Sequence, residues 1–339
     1  MKKQRKIALN RFDYHLPNNL ISQNPIKPRD HARLLILDKY TEEIEHKKFF
    51  NIEDYLKPGD VLVLNNSKVI PARLLGNKQT GGKIEIFLLS KHAPKVWQVL
   101  IKGSIKPDQE VHLKNKIKAK ITKKHDKESW LVKFNCSDKN LFAIGDTPLP
   151  PYIKNKAKMI DYQTVYAKSA GSVAAPTAGL HFTKNLINKL KKRGIKIQYI
   201  TLHVGLGTFM SVKSQYIEDH KIHRELAILD KKTANTLNSA KKSGNKIIAI
   251  GTTAVRTLEA FSNTKGIIKS QSKWVNIFIY PGYKFKFVDS IITNFHLPKS
   301  TLLMLISAFT SETKIKKAYR EAIKKKYKFY SFGDAMLIK

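Results

Sequence analysis

The stretch Ser172-Val173-Ala174-Ala175-Pro176-Thr177-Ala178-Gly179-Leu180-His181-Phe182-Thr183 carries the strongest signal in this chain. A segment typical of a strand, residues 162–166, lies before it, and three apolar residues at helical spacing follow it: Leu186, Ile187 and Leu190. The residues in between are mostly small, so the backbone can come close to a ligand. His181 and Thr183 then lie near a helix N-terminus, where backbone N–H groups are free to bind. The stretch predicts a ligand-binding loop between a strand and a helix.

Short segments of alternating hydrophobicity dominate the chain between residue 60 and about residue 135. Turn signals such as Thr80-Gly81-Gly82 and Lys106-Pro107-Asp108 separate them. Short, closely spaced strands of this kind are typical of a small antiparallel barrel. The predicted strands are residues 61–64, 83–89, 96–102, 110–113, 117–122 and 130–134.

Strands and helices alternate from about residue 152 onward, a pattern typical of an α/β domain. The predicted strands are residues 195–202, 246–250 and 277–280, and the predicted helices are residues 254–261, 301–308 and 315–327. The first 60 residues are expected to belong to this larger part. The sequence therefore predicts an α/β main domain with an inserted small antiparallel β-barrel domain, joined through residues 68–72 and 148–152.

The composition excludes several classes of protein. With 339 residues, 42% apolar and 26% charged, the chain can form a substantial core in one or two globular domains. Its one cysteine, Cys136, excludes an internal disulfide, a cysteine-rich zinc site and a three-cysteine iron–sulfur site. The longest apolar run, residues 301–309, is too short to span a membrane, and no signal-peptide pattern follows the basic start. We therefore expect a cytoplasmic protein.

The net charge of +37 favours binding to a polyanion such as a nucleic acid. Only nine of the 63 basic residues are arginine, so drift toward AT-rich codons is an equal explanation for the lysine excess. We hypothesise that arginine persists where its forked donor geometry is needed. Most of the four arginines that lie in the motifs below are then expected to clamp a carboxylate, a phosphate or a flipped base: Arg29, Arg33, Arg73 and Arg256. Chance and structural ion pairs are the alternative.

Two glycine-containing turns are candidate binding loops. The run from His203 to Thr208 holds Gly-x-Gly but lacks the third glycine of a dinucleotide-binding loop. A turn that brings His203 toward a site fits better, with a tight turn and a capping histidine as the alternative. Gly251-Thr252-Thr253 joins a predicted strand to a helix and is suited to hold an anion. Arg256 and Glu259 lie three apart on one face of that helix, so they are expected to pair.

Three further clusters carry polar side chains. Asn294 and His296 alternate with apolar neighbours and so share a face, next to a helix for which Ser300 is a suitable N-cap. Hydrogen-bonded polar groups at a domain seam are the alternative. Asp334 lies among aromatic residues, where burial raises a carboxyl pKa, although it can equally be a structural cap. The run 220–225 contains two histidines and a glutamate, but this spacing is common by chance, and no metal is expected.

Motifs along nearly the whole chain resemble those of the S-adenosylmethionine:tRNA ribosyltransferase-isomerase family of queuosine biosynthesis. Besides the loop quoted first, the resemblance rests on FDYHLP (residues 12–17), RDHARLL (29–35), LNNSKVIPARL (64–74), HVGLGTF (203–209), GTTAVRTLE (251–259), TNFHLPKSTL (293–302) and YSFGDAM (330–336). The resemblance implies a discontinuous α/β catalytic domain, residues 1–68 and 152–339, into which a barrel domain, residues 69–151, is inserted.

The resemblance also implies an activity. The ribosyl group of S-adenosylmethionine, a co-substrate rather than a cofactor, is transferred to the aminomethyl group of 7-aminomethyl-7-deazaguanine at the tRNA wobble position. It is isomerised there, which gives epoxyqueuosine-tRNA, adenine and methionine. The expected partners are tRNA with a GUN anticodon and S-adenosylmethionine, with no membrane, and the expected form is a monomer.

The sulfonium group acidifies protons on the adjacent ribose carbon, and histidine suits the task of removing one. The candidate catalytic residues are His181, His203 and His296, with His181 as the preferred base or base-orienting group. The candidate substrate-binding residues are Thr177, Thr183, Thr252, Thr253, Arg256, Glu259, Asn294, Arg29, Arg33, Arg73 and Asp334; Arg256 and Glu259 are expected to orient the ribose or the methionine part of the donor. The alternatives are an S-adenosylmethionine-dependent RNA methyltransferase, which lacks support from a complete glycine fingerprint, and a non-catalytic tRNA-binding protein.

Overall fold

The computed structural model describes residues 6–155, 157–205 and 212–339 of the chain. Within these ranges the chain forms a large mixed sheet flanked by helices, a closed six-stranded barrel and a short two-stranded sheet. The predicted combination of an α/β part with an antiparallel barrel is therefore confirmed.

The large sheet has four parallel strands at its centre. Numbered in chain order, its strands are β1 (Arg33–Leu37), β2 (Ile44–Lys48), β3 (Val61–Asn65), β12 (Lys196–Leu202), β13 (Glu225–Leu229), β14 (Ile247–Ile250), β15 (Gln271–Val275), β16 (Ser290–Asn294) and β17 (Ala335–Ile338). Their order across the sheet is β15-β13-β12-β3-β14-β16-β17-β1-β2. The strands β12, β3, β14 and β16 are parallel, whereas β13 and β17 pair antiparallel with them. Every residue of β3 and β14 is buried, as expected for parallel strands covered on both faces.

Helices pack on both faces of this sheet. They are α2 (Lys184–Lys192), α3 (Lys231–Lys242), α4 (Thr252–Phe261), α5 (Thr301–Phe309) and α6 (Glu312–Lys324), whereas the short α1 (Asp138–Ala143) packs on the barrel core. Successive residues of a strand point to opposite faces, so Val61 and Val63 join the core formed with α3–α6. Leu62 and Leu64 join the second core, which α2 covers with the predicted apolar stripe.

The barrel closes in the order β10-β7-β6-β5-β8-β9. Its strands are β5 (Arg73–Lys78), β6 (Lys83–Ala93), β7 (Val96–Lys102), β8 (Glu110–Leu113), β9 (Lys118–Lys124) and β10 (Trp130–Phe134). Alternate residues of β6, namely Ile84, Ile86 and Leu88, are buried inside it, which is the alternation that predicted the barrel. The limits 69 and 151 of a separate domain stay a prediction.

One strand was assigned to the wrong sheet. Residues 61–64 were grouped with the barrel, but β3 lies at the centre of the large sheet, between β12 and β14. Because all five β3 residues are buried, this strand lacks the in–out alternation of a barrel strand. The barrel instead contains β5, whose exposed Arg73 and Leu75 alternate with less exposed residues.

The predicted strand at residues 162–166 is wrong. The amide of Tyr162 bonds to the carbonyl of Met159, and the amide of Ala167 to that of Thr164, so the chain forms turns. The apolar character of the segment reflects burial, since Tyr162 has no exposed surface. The strand before the first-quoted loop is β11 (Ser169–Ser172), which pairs in parallel with β4 (Ser67–Val69), at the start of the predicted linker 68–72.

The predicted strand at residues 277–280 is also wrong. The strand in this part of the chain is β15, which ends at Val275. The carbonyl of Ile277 accepts a hydrogen bond from Nε of Arg256 instead of a neighbouring strand, and Ile279 is buried in the core. The apolar residues of this segment pack in the core without pairing as a strand. A hydrophobic pattern in the sequence does not distinguish these two situations.

Candidate functional site

One cleft, called the main cleft because several of the sequence motifs meet in it, lies at the edge of the sheet where the parallel strands β14 and β16 end. Ligands of α/β sheets bind in such crevices, outside the carboxyl ends of the strands. The walls come from parts of the segments 175–178, 251–253, 293–302 and 330–331, together with Tyr152 and Val204. Five of the motifs that were separate in the sequence therefore meet in one place, since Val204 belongs to the run 203–209.

The N-terminus of α4 faces this cleft. Gly251, with a φ of 85°, turns the chain from β14 into α4, and no side chain caps the helix. Thr252 and Thr253 form the first helical turn and line the cleft. The hydroxyl of Thr253 is buried and has no hydrogen-bond partner among the described residues. A helix N-terminus with free N–H groups and an unpaired hydroxyl can receive oxygen atoms of a ligand.

His181 lies just behind the cleft wall. It ends the 3₁₀ helix Thr177–His181, is only 4% exposed and packs on the ring of Phe49 with 5.0 Å between ring centroids. Its Nε2 lies 3.2 Å from Nδ2 of Asn294, at the end of β16. Burial, and secondarily the charge of Arg29, lower the pKa of His181 to about 4. The imidazole is therefore neutral at pH 7 and accepts a hydrogen bond from the amide.

His296 lines the cleft directly. Its Nε2 lies 2.8 Å from the hydroxyl of Thr293, and its backbone amide donates to the hydroxyl of Tyr319 at 2.8 Å. The hydroxyl of Tyr14 donates to the carbonyl of His296. Burial lowers the pKa of His296 to about 3, so this ring is also neutral.

His203 lies beside the cleft, next to the lining residue Val204. Its Nδ1 is buried without a partner among the described residues. The backbone of Gly171, with a φ of 138°, packs so closely that a Cβ there would lie 2.9 Å from Nδ1. Burial lowers the pKa of His203. The rest of its glycine-containing run, from Leu206, lies outside the described residues.

The two threonines of the loop 172–183 that were predicted to bind substrate lie in different places. Thr177 lines the main cleft, and its role in substrate binding stays a prediction. Thr183 is the N-cap of α2: its hydroxyl accepts the amide of Leu186 at 3.1 Å and donates to Asp30 at 2.6 Å. The predicted location near a helix N-terminus is confirmed, but the described lining of the main cleft does not include Thr183.

The expected pairing of Arg256 with Glu259 is wrong. Nη1 of Arg256 forms an ion pair with Glu225 of β13. Glu259, fully buried, accepts the amides of Lys286, Phe287 and Val288 at 2.9–3.0 Å. Helical spacing brings the two side chains to one face, but each is committed to a different neighbouring segment. Those buried backbone N–H groups need an acceptor, which Glu259 supplies.

The other three arginines of the motifs form hydrogen bonds or an ion pair with other residues of the chain. Arg29 donates to the carbonyls of Ile160 and Gln163, each at 2.6 Å, and lies beside His181 in a small neighbouring pocket. Arg33 donates to the carbonyl of Lys325 at 2.6 Å and stacks on a tyrosine ring. Arg73 pairs with Glu85 at 2.9 Å on the barrel surface.

Asp334 lies close to Arg33 but outside the main-cleft lining. It accepts the amides of Arg33 and Lys328 at 2.7 and 2.8 Å. Burial raises the pKa of its carboxyl, in the direction predicted for an acid among aromatic residues. Its two backbone contacts join the start of β1 to the segment before β17, which favours the structural alternative.

Sequence reasoning missed several residues of the site. Tyr152 was assigned to a linker, yet it lines the cleft and its hydroxyl lies 2.7 Å from that of Ser331. In the motif around Asp334 only the acid was singled out, whereas Tyr330 and Ser331 reach the cleft. Glu225 was considered only as part of a histidine-rich run. Its partner is 31 residues away in the chain, so no local signal identifies it.

Two features that the described residues lack bear on alternative classes of protein. Among residues 6–155, 157–205 and 212–339, no group of three histidine, cysteine or acidic side chains is placed to hold a metal ion. No helix in those same ranges has the length and apolar character needed to cross a bilayer.

The fold and the cleft define an α/β protein that binds its ligand at the carboxyl edge of a mainly parallel sheet. The family model described as "Queuosine biosynthesis protein" matches residues 9–338. The chain belongs to this family, which confirms the resemblance seen in the motifs.

Relatives named S-adenosylmethionine:tRNA ribosyltransferase-isomerase are similar over almost the full length. The protein of Thermoanaerobacter sp. (strain X514) is 51% identical, covering 96% of this chain and 98% of the relative. That of Acetivibrio thermocellus is 50% identical, covering 97% and 98%. A crystal structure of S-adenosylmethionine tRNA ribosyltransferase from Thermotoga maritima is 38% identical, with a TM-score of 0.57, and covers 97% of this chain and all of its own.

Proposed function

We propose that this protein is an S-adenosylmethionine:tRNA ribosyltransferase-isomerase of queuosine biosynthesis. It transfers the ribosyl group of S-adenosylmethionine to the aminomethyl group of 7-aminomethyl-7-deazaguanine in tRNA and isomerises it. The products are epoxyqueuosine-tRNA, adenine and methionine. The observation that carries this proposal is the full-length similarity, at about 50% identity, to enzymes of that name. The meeting of the family motifs in one cleft supports it.

The donor ribose is proposed to lie in the main cleft against the first turn of α4. There, Thr252 and Thr253 offer hydroxyls and helix N-terminal N–H groups, and Thr177 lies on the opposite segment. Oxygen atoms that gain negative charge during ring opening are stabilised by such fixed donors. The walls are largely buried, which limits water at the reacting centre.

His181 and Asn294 are proposed to act as a unit in removing the acidified ribose proton. Neutral His181 is in the base form at pH 7, and Nε2, which accepts from Asn294 in this structure, is proposed to exchange that hydrogen bond for the ribose proton. His296 and His203 are proposed as further catalytic groups, because both are neutral near pH 7 and lie in or beside the cleft. The bond between C1′ and adenine breaks as adenine takes up a proton in the cleft, and the amine of the tRNA base bonds to the sugar and loses a proton. The bond between C5′ and the sulfonium breaks to release methionine.

The acceptor is proposed to be tRNA with a GUN anticodon that carries the aminomethyl-deazaguanine. Phosphate contacts are proposed on the lysine-rich barrel, residues 69–151, acting as a domain inserted between 1–68 and 152–339. The protein is proposed to work in the cytoplasm as a monomer.

The direct test is a product assay with purified protein, S-adenosylmethionine and tRNA bearing the aminomethyl-deazaguanine. Mass spectrometry is expected to detect adenine, methionine and a heavier modified nucleoside. S-adenosylhomocysteine would instead indicate methyl transfer, and bound tRNA without product would indicate a binding protein.

The His181→Ala variant tests the proposed base. We expect it to abolish adenine release while tRNA binding persists. If the variant loses only tRNA binding and still releases adenine when tRNA is bound, the assignment of His181 as the base is contradicted.

A further inference from the structure

A second cleft adjoins the main cleft at Leu302. Leu302 lines both, and Arg256, one helical turn after Thr252 on α4, lines the second. Residues four apart on a helix lie on one face, about 6 Å apart along the axis. The two clefts are therefore consecutive along α4.

Like Glu225, Arg256 is a buried charged group that lines the second cleft, with 5% of its surface exposed. Its Nε donates to the carbonyl of Ile277 at 3.3 Å, and its Nη1 pairs with Glu225. Its Nη2 is buried and has no hydrogen-bond partner among the described residues. A buried charged donor without an acceptor is costly, so this nitrogen indicates a site for an acceptor from outside the protein.

The remaining lining restricts what that acceptor belongs to. Most of the second cleft is apolar: Ile222, Ile277, Phe278, Ile279, Leu302 and Leu305. Arg256 and Glu225 together carry no net charge, so a phosphate would add uncompensated negative charge beside Glu225. The α-amino and α-carboxylate groups of a zwitterionic amino acid together add none, and the methylene groups that follow them suit apolar walls.

We propose that the second cleft binds the amino-acid end of S-adenosylmethionine, with its carboxylate on Nη2 of Arg256. This inference rests on the proposed function, since the ribose is taken to lie in the main cleft. The sulfonium then lies near Leu302, where the two clefts meet. Arg256 is in this view the residue that selects a donor with an intact α-carboxylate.

The test compares S-adenosylmethionine with its decarboxylated form, which keeps adenosine, sulfonium and amine but lacks the carboxylate. With the modified tRNA, wild-type kcat/KM for adenine release is expected to fall by about tenfold to a hundredfold when the carboxylate is absent. In Arg256→Gln the ratio between the two donors is expected to approach one. Because both donors are measured on the same variant, a smaller fraction of folded protein cancels in the ratio.

The matched control is Arg193→Gln, which breaks a surface pair with Glu53 whose Nη1–Oε2 distance is 3.3 Å. It is expected to keep the wild-type ratio. If Arg256→Gln does not fold, the double variant Glu225→Gln/Arg256→Gln removes both buried charges together. Inhibition of the wild type by methionine, but not by 3-(methylthio)propylamine, provides a test that needs no variant.

The outcomes separate this inference from the proposed function. An unchanged ratio in Arg256→Gln, or a wild type that does not discriminate, overturns the contact with Arg256. Absence of adenine release by the wild type overturns the proposed function instead. In that case calorimetric binding of the two compounds to wild type and to Arg256→Gln still decides whether Arg256 holds the carboxylate.

Discussion

Nδ2 of Asn294 lies 3.2 Å from Nε2 of His181, which joins the end of β16 to the 3₁₀ helix of the first-quoted loop. An amide nitrogen only donates, so this contact favours the His181 tautomer that carries its proton on Nδ1. The two residues are 113 positions apart in the chain. Their contact couples the main-cleft lining to a buried, neutral imidazole.

Asn294→Asp is expected to change how activity depends on pH: the loss of activity on acidification begins at a higher pH than in the wild type. A carboxylate beside Nε2 favours the imidazolium, so the pKa of His181 rises from about 4. Since the base must be neutral, kcat/KM for adenine release at pH 6 is expected to fall by up to about tenfold relative to pH 8. Asn294→Ala, which adds no charge, serves as the control and is expected to shift the onset of this loss less. An unchanged onset in Asn294→Asp would argue against His181 as the base.

The buried histidines are expected to make the protein less stable in mild acid. The pKa of His296 is about 3 in the folded protein and near 6.5 when unfolded, so the unfolded chain binds more protons between these values. The free energy of unfolding therefore falls as pH drops below about 6.5, by up to about 1.4 kcal/mol per pH unit for each such histidine. Urea denaturation between pH 7 and pH 4.5 measures this slope.

His296→Gln removes one histidine that takes up a proton on unfolding. It is therefore expected to reduce the slope by up to about 1.4 kcal/mol per pH unit. His125→Gln, at an exposed position on the barrel, is expected to leave the slope unchanged. Equal slopes for the wild type and His296→Gln would show that His296 is not held neutral by burial.

Glu259→Gln is expected to lower stability rather than donor binding. One amide oxygen cannot replace two carboxylate oxygens, and the new NH₂ group faces backbone donors of residues 286–288. The free energy of unfolding in urea is expected to fall by about 3 kcal/mol, with KM for S-adenosylmethionine unchanged. Glu85→Gln, which breaks a surface pair, is expected to cost less than about 1 kcal/mol. A raised KM at unchanged stability would restore the substrate-binding role predicted for Glu259.

Neutralising barrel lysines is expected to weaken tRNA binding in a salt-dependent way. Lys123 and Lys124 are exposed at the end of β9, and neither forms an ion pair within the described residues. Lys123→Gln/Lys124→Gln is expected to reduce the slope of log Kd against log salt by about one for each phosphate that these lysines neutralise in the wild-type complex. Fluorescence anisotropy with a tRNA transcript at about 50–200 mM salt, where such interactions are strongly salt-dependent, measures it.

Lys118→Gln is the matched control, because Lys118 already pairs with Glu110 at 3.0 Å and lies on the same strand as the two lysines. It is expected to change the salt slope less. An equal slope for all three proteins would place the tRNA-binding surface away from this end of the barrel.

Local patterning predicted much of the fold. The strands β7, β8 and β10 have the predicted limits, and β7 and β8 alternate between more and less buried residues. The cap Ser300 was also predicted, and Thr183 was placed near a helix N-terminus, since these signals depend on residues only a few positions apart. Patterning failed at β3, which is buried on both faces, and at residues 162–166 and 277–280, where apolar residues pack without pairing.

The sequence by itself determined the family, the two kinds of architecture and the motifs that contribute to the main cleft. Only the tertiary structure decided which of those residues line the cleft and which make structural contacts within the protein. It gave Arg256 a partner 31 residues away rather than three, and committed Glu259 to a buried loop. Hydrogen bonds in a buried site are made to whichever groups the fold brings within reach, and chain spacing sets that only within a helix or a turn.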